Sequence, residues 1–107
     1  MRLITVEEHF TAQEIISENS KFVPEASEFY KSMVFVGETL TDAGENRLAF
    51  MDKNKIDMQV LSYTSPVSDK VPASDAVRIC RRANDILAEK ISAYPKRFSA
   101  FATLPMA

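Results

Sequence analysis

Residues 58–104 read MQVLSYTSPVSDKVPASDAVRICRRANDILAEKISAYPKRFSAFATL, and their patterns point to one fold class. Met58–Tyr63 and Phe98–Leu104 are short apolar runs of the kind that form buried parallel strands. Between Pro72 and Pro95, apolar residues recur at three- and four-residue steps, which is typical of an amphipathic helix. Strand, helix and strand in this order predict two parallel strands joined by a right-handed crossover.

A further strand is predicted near the start of the chain, over Arg2–Phe10. Its first half is apolar and β-branched, and it ends in the charged cluster Glu7-Glu8-His9. Because side chains alternate along a strand, two faces are expected, one with Ile4 and Val6 and the other with Leu3, Thr5, Glu7 and His9.

The segment between this strand and the next is predicted to contain several short helices. Ala12–Ser17 and Glu25–Met33 are the first two, within an irregular stretch that keeps many apolar residues. Asp42 followed three residues later by Glu45 has the spacing of a capping box, so a third helix is expected to start there and end near Asn54.

Two architectures fit this alternation of strands and helices, an open doubly wound sheet and a segment of a barrel. No glycine-rich loop follows the first strand, and the whole chain contains only 2 glycines. A nucleotide-binding open sheet is therefore disfavoured, because its phosphate loop depends on glycine.

Composition narrows the class of protein further. The length of 107 residues suits one domain, and the net charge of −2 argues against a nucleic-acid binder, which needs clustered Lys and Arg. The densest basic group, Arg78, Arg81 and Arg82, is interrupted by acidic residues and is predicted to be a solvated helix face. No stretch approaches the ~20 apolar residues of a membrane span.

The single cysteine, Cys80, has apolar neighbours and is predicted to be a small buried residue, with a catalytic thiol as the alternative. One cysteine cannot form an internal disulfide, which is typical of proteins in a reducing compartment. A cytoplasmic location is therefore expected.

Glu7 and His9 are the candidates for chemistry, because ligands of parallel α/β proteins bind beyond the carboxyl ends of the strands. Residues i and i+2 of a strand share a face about 7 Å apart, so both side chains can converge on one ion. A carboxylate oxygen and an imidazole nitrogen suit Zn²⁺, Mn²⁺ or Fe²⁺. The spacing alone leaves open that the two residues form an ordinary surface pair.

Three blocks of the sequence carry a resemblance to a known family. They are ITVEEHF (4–10), RLAFMDKNKIDMQVLSYTSP (47–66) and RRANDILAEKISAYPKRFSAFATLP (81–105). Together they resemble the amidohydrolase-related superfamily, in particular the non-oxidative aromatic-acid decarboxylases such as the γ-resorcylate decarboxylases, and the aminocarboxymuconate-semialdehyde decarboxylases. The resemblance implies the first three β/α units of a TIM (β/α)8 barrel, with residues 1–107 as the N-terminal part of an incomplete barrel.

The resemblance also implies roles for the residues at the end of the first strand. Glu7 and His9 correspond to metal ligands, and Glu8 between them does not. The family adds a His from a later strand and an Asp near the end of the barrel, whereas this sequence contains 1 His. A divalent metal, Zn or Mn, is therefore expected to be incompletely ligated by this chain, and independent catalysis is in doubt.

The implied activity is the removal of CO₂ from an aromatic or unsaturated carboxylic acid, so the expected partner is a small-molecule acid. The alternatives are a metal-dependent hydrolase of the same superfamily and a catalytically inactive α/β segment. The resemblance suggests homo-oligomers for the intact relatives. The expected lining of the substrate pocket, with core packing as the alternative for Phe10, is Phe10, Ser62, Tyr63 and Thr64.

Three further matched positions are interpreted as structural. Asp57 is expected to cap the turn before the second strand, and Asn84 to form a hydrogen bond between helix and loop. Arg97 starts the third strand at the end of the barrel far from the chemistry, where matched residues contribute to stability.

Overall fold

The computed structural model describes residues 1–24, 39–64 and 70–106. The helix expected over Glu25–Met33 lies outside these residues. Among the described residues, none of the helices has the length and apolar character needed to cross a membrane.

The sheet has three parallel strands in the order β1 (Ile4–Phe10), β2 (Met58–Tyr63) and β3 (Phe98–Ala100). This arrangement confirms the predicted parallel alternation, and β2 has the predicted bounds. β3 is shorter than expected and ends before Leu104. The chain leaves the ladder after a last hydrogen bond from the Phe101 N–H to the Leu61 carbonyl at 2.9 Å.

Three helices lie wholly within the described part of the chain: α1 (Gln13–Ser20), α2 (Glu45–Lys53) and α3 (Ala73–Ser92). α1 runs three residues beyond the predicted Ser17. α3 follows Pro72 as predicted and ends three residues before Pro95, because a residue preceding proline is disfavoured in the helical conformation.

The start of α2 differs from the predicted capping box. Gly44 is the N-cap residue, and no side chain caps the helix. The Asp42 carboxylate instead accepts a hydrogen bond from the Gly44 N–H at 2.7 Å, two residues along the chain. This local turn competes with capping, as short acidic side chains often do, so the capping-box prediction is wrong.

All three helices pack on one face of the sheet. Alternate strand residues such as Leu61 and Phe98 meet the apolar stripe of α3 there, and Cys80 is buried with them as predicted. The buried apolar cluster comprises Phe10, Ala12, Ile15, Ala43, Met51, Leu61, Val71, Ile79, Cys80, Ala83, Ile86, Leu87 and Phe98. The arginines of α3 lie on its solvent side, where Arg82 pairs with Glu14 of α1.

Side-chain to backbone hydrogen bonds fix the ends of the strands. The Asn84 amide exchanges two hydrogen bonds with the Thr103 backbone, at 2.8 and 3.0 Å, which confirms the helix-to-loop role. Asp57 does not cap the preceding turn; its carboxylate accepts from the Leu3 N–H at 2.6 Å and so holds the start of β1. Arg97 donates to the Asp57 carbonyl at 2.9 Å, at the same end of the sheet.

Candidate functional site

A β-bulge interrupts β1 at Val6 and Glu7, so it includes the first of the two candidate ligands. Thr5 pairs with Gln59 and Glu8 with Leu61, so two residues of β1 lie opposite Val60 alone. Glu7 has a positive φ of 57°, which is uncommon for a residue other than glycine. Bulges of this kind bend a strand and redirect a side chain, often next to an active site.

The bulge changes which residues of β1 share a face. Ile4 pairs with Met58 and His9 with Ser62, and Met58 and Ser62 lie on the same face of β2. Ile4 and His9 therefore share a face, whereas Thr5 lies on the helix-covered side. The predicted grouping of Thr5 with His9 is wrong, because an extra residue inverts the alternation.

Glu7 and His9 line one cavity of about 670 Å³ beside the carboxyl half of β1. Both residues are exposed, and among the described residues no hydrogen bond or ion pair engages either side chain. Glu8 also lines this cavity, so the cavity alone does not separate it from its neighbours. The strand register separates Glu8 from Glu7 and His9, because Glu8 pairs with the buried Leu61 and belongs to the helix-covered side.

Arg47 of α2 is a cationic residue that lines this cavity. Its guanidinium donates to three backbone carbonyls, those of Asp42 at 2.5 Å, His9 at 2.9 Å and Thr39 at 3.3 Å. It also donates to the side-chain oxygen of the buried Gln59 at 3.3 Å. Burial lowers the pKa of Arg47, and the negative charges of Glu8 and Asp42 oppose that shift.

Sequence reasoning missed Arg47, although one signal was present. Arg47 is the third residue of α2, where the positive end of the helix dipole disfavours a cation. A basic residue at this position indicates a specific partner elsewhere in the fold, here the carbonyls around the end of β1.

The four predicted pocket residues fall on two sides of the sheet. Ser62 lies opposite His9 in the register, and the Thr64 N–H donates to the Phe10 carbonyl at 3.1 Å. The Phe10 side chain is fully buried and meets the Tyr63 ring edge-on at 5.6 Å between centroids. The Tyr63 hydroxyl donates to the Ala83 carbonyl of α3 at 2.6 Å. These contacts favour core packing for Phe10 and Tyr63.

The donor types at this site fit a divalent metal ion, but the donor count is incomplete. Glu7 offers a carboxylate oxygen and His9 an imidazole nitrogen, both of which suit Mn²⁺ or Zn²⁺. Within residues 1–24, 39–64 and 70–106, no group of three His, Cys, Asp or Glu residues could hold a metal ion. This part of the chain therefore provides at most part of a coordination sphere.

Comparison with known proteins finds decarboxylases both among similar sequences and among similar solved structures. No protein-family model matches the chain. A γ-resorcylate decarboxylase from Rhizobium radiobacter is 36% identical over 104 residues, which are 96% of this chain and 30% of the relative. The chain thus spans about 30% of the length of the curated relatives it matches.

Solved structures agree with the sequence relatives. Dihydroxybenzoic acid decarboxylase from Polaromonas sp. JS666, with bound manganese and the inhibitor 2-nitroresorcinol, has a TM-score of 0.78 at 35% identity, covering 99% of this chain and 31% of that one. 5-Carboxyvanillate decarboxylase from Novosphingobium aromaticivorans, complexed with manganese and 4-hydroxy-3-methoxy-5-nitrobenzoic acid, has a TM-score of 0.83 at 31% identity, covering 97% and 34%. In sequence and in fold, the chain therefore matches the N-terminal part, about 30%, of TIM-barrel aromatic-acid decarboxylases with the amidohydrolase fold.

Proposed function

We propose that residues 1–107 form the first part of a metal-dependent, non-oxidative decarboxylase that acts on an aromatic or unsaturated carboxylic acid. The observation that carries the proposal is the joint position of Glu7 and His9 in one cavity, within a chain 36% identical to a γ-resorcylate decarboxylase. The remaining ligands are expected from later strands of the same barrel.

In this proposal Glu7 and His9 are the first two metal ligands. Both side chains line the cavity, and neither has a hydrogen bond or ion pair with the described residues, so binding an ion would break no contact within that part of the chain. A bound divalent cation would stabilise the negative charge that develops as the carbon–carbon bond breaks. Manganese is the proposed metal, because it is present in both similar decarboxylase structures.

Ser62 and Thr64 are the proposed contacts to the substrate. Ser62 lies beside His9 in the register, and Thr64 follows β2 at the same end of the sheet. Their hydroxyl groups can donate hydrogen bonds to a small carboxylic acid. Phe10 and Tyr63 are not proposed as direct contacts, because their rings pack in the core.

Two features of the whole protein are also part of the proposal. Homo-oligomers are expected from the resemblance, and a cytoplasmic location is supported by the single cysteine, which is buried and free.

Manganese titration of the 107-residue chain tests the ligand assignment, with binding followed by the loss of the free-ion electron paramagnetic resonance signal. Glu7→Ala and His9→Ala are expected to abolish or strongly weaken binding. Glu8→Ala is the matched control and is expected to retain it, since its register places it on the other side of β1. Equal loss in all three variants would contradict the assignment.

A chimera tests the activity. Residues 1–106 would replace the matching N-terminal segment of the Rhizobium radiobacter relative, so that the missing ligands are present. CO₂ release from 2,6-dihydroxybenzoate with added Mn²⁺ is expected, with loss in Glu7→Ala. A folded chimera that binds Mn²⁺ and hydrolyses amides or lactones without releasing CO₂ would favour the hydrolase alternative.

A further inference from the structure

We infer that Arg47 is a positioning residue that holds the carboxyl end of β1, and with it the Glu7–His9 pair, in the geometry of the site. This inference rests on the proposed function for its chemical consequence. Its structural basis is the set of hydrogen bonds that join one guanidinium to His9, Asp42 and Thr39.

The first argument concerns the free edge of β1. The Phe10 carbonyl accepts a hydrogen bond from Thr64, on the side of β2. Successive carbonyls of a strand point to opposite edges, so the His9 carbonyl projects from the edge that has no neighbouring strand among the described residues. Arg47 donates to this carbonyl at 2.9 Å and so takes the place of a ladder partner.

The second argument concerns the segment that covers this edge. The Thr11 N–H donates to the Leu40 carbonyl at 3.0 Å, which brings residues 39–42 alongside the end of β1. Arg47 binds the carbonyls of Thr39 and Asp42, one at each end of that segment. One side chain thus ties β1 to the segment that covers it, and the planar fork of five donors makes arginine suited to this task.

The third argument concerns the bulge. Glu7 has a disfavoured backbone conformation, with φ of 57°, two residues before the carbonyl that Arg47 holds. Such a conformation persists only where the surrounding structure holds it. In the described part of the chain, Arg47 supplies side-chain hydrogen bonds on the far side of the bulge, whereas Asp57 secures the near side through the Leu3 N–H.

Arg97 offers a matched control at the opposite end of the sheet. Like Arg47, it donates to backbone carbonyls of another segment, in its case two: that of Asp57 at 2.9 Å and that of Ile56 at 3.1 Å. It lies far from Glu7 and His9 in the register. Loss of Arg97 therefore lowers stability without touching the carboxyl end of β1.

Amide hydrogen exchange on the 107-residue chain tests the inference, with Arg47→Gln and Arg47→Lys compared with Arg97→Gln and Arg97→Lys. The Thr11 and Thr64 amides are expected to exchange at least about tenfold faster in Arg47→Gln, with little change at Asp57. Lysine is expected to restore part of the protection, because it donates from one nitrogen only. In the Arg97 variants, the Asp57 amide is expected to exchange faster, with little change at the Thr11 and Thr64 amides. The inference would be overturned if loss of Arg47 accelerated amide exchange equally at both ends of the sheet, or if it did not accelerate exchange at Thr11 and Thr64.

Manganese titration of the same variants separates the two proposals. Arg47→Lys is expected to weaken Mn²⁺ binding roughly tenfold, in the range seen when residues that orient metal ligands are removed. Arg97→Lys is expected to leave it unchanged. Binding that depends on Glu7 but not on Arg47 would reduce Arg47 to a structural residue. Binding independent of Glu7 would remove the proposed metal function, and the exchange pattern would still decide the role of Arg47.

Discussion

Glu7 carries the backbone conformation on which the geometry of the candidate site depends. Its φ of 57° lies in the left-handed region, which costs about 1–2 kcal/mol for a residue with a Cβ atom. A strand without this bulge would place Thr5 and His9 on one face. This one residue therefore lies at the bulge that decides which side chains of β1 share a face with His9.

Replacement of Glu7 tests this strain directly. Glu7→Gly is expected to be more stable than Glu7→Ala by about 1 kcal/mol, because glycine adopts positive φ without steric cost. Urea denaturation of the two variants measures the difference. Equal stability, or a more stable alanine variant, would mean that position 7 is unstrained in solution.

Tyr63 is expected to make stability depend on alkaline pH. Burial raises the pKa of its hydroxyl above the ordinary value of about 10. As pH rises past about 10 the unfolded chain releases this proton before the folded chain does, so the free energy of unfolding falls. Below that pH the hydroxyl is protonated in both states and adds no pH dependence.

The variant Tyr63→Phe checks this expectation. Urea denaturation measures its free energy of unfolding and that of the parent chain, both at neutral pH and at pH values of about 9 to 11. At neutral pH the variant is expected to lose about 1 kcal/mol with the hydrogen bond to Ala83. Its further loss above pH ~10 is expected to be smaller than that of the parent chain. Parallel losses in the two proteins would contradict the raised pKa.

Among the described elements, α3 contributes most to the core. It buries Ala76, Ile79, Cys80, Ala83, Ile86 and Leu87 against the sheet and the other helices. Its opposite side carries arginines that pair with acidic residues of α1, including Arg82 with Glu14. These pairs are half exposed and contribute little compared with the buried stripe.

Two substitutions in α3 measure this difference between its faces. Ile79→Ala is expected to lower the free energy of unfolding by about 2–5 kcal/mol, because Ile79 is 0% exposed and leaves a cavity. Val77→Ala is the matched control on the same helix, where the side chain is 46% exposed, and is expected to cost well under half as much. Chemical denaturation gives both values, and similar losses would mean that α3 packs differently in solution.

At the scale of the whole molecule, the described chain leaves one side of the sheet uncovered. Ile4 and Phe101, which alternate with the helix-facing Thr5 and Ala100, are exposed large apolar side chains on this side. Ile4 faces away from the helices, on the side that lines the interior of a (β/α)8 barrel. Exposed apolar surface of this kind binds apolar dyes and drives self-association.

The 107-residue chain by itself is therefore expected to bind 8-anilinonaphthalene-1-sulfonate in its native state and to self-associate as its concentration rises. Double substitution Ile4→Ser and Phe101→Ser is expected to reduce both effects, because both side chains are about half exposed and contribute little to the core. Sedimentation velocity and dye fluorescence measure the change. A parent chain that stays monomeric and binds no dye would contradict an open apolar face.

The candidate site could be predicted only in part. Glu7 and His9 could be named as candidates because a charged pair at the end of an apolar strand is a local pattern, and both line one cavity. Arg47 was missed, since its partners are backbone carbonyls of residues 9, 39 and 42, which become neighbours only in the folded chain. Tyr63 was proposed for the pocket, but its hydroxyl reaches α3 instead.

Local patterns in the amino-acid sequence were sufficient to establish the alternation of strands and helices, the exact bounds of β2 and the buried stripe of α3, because periodicity and proline positions act within one element. The bulge at Glu7, the early end of β3 and the role of Arg47 were decided only by tertiary structure. Each of these features depends on hydrogen bonds between segments far apart in the chain, and the pairing of distant backbone groups leaves no periodic trace in the residues that form it.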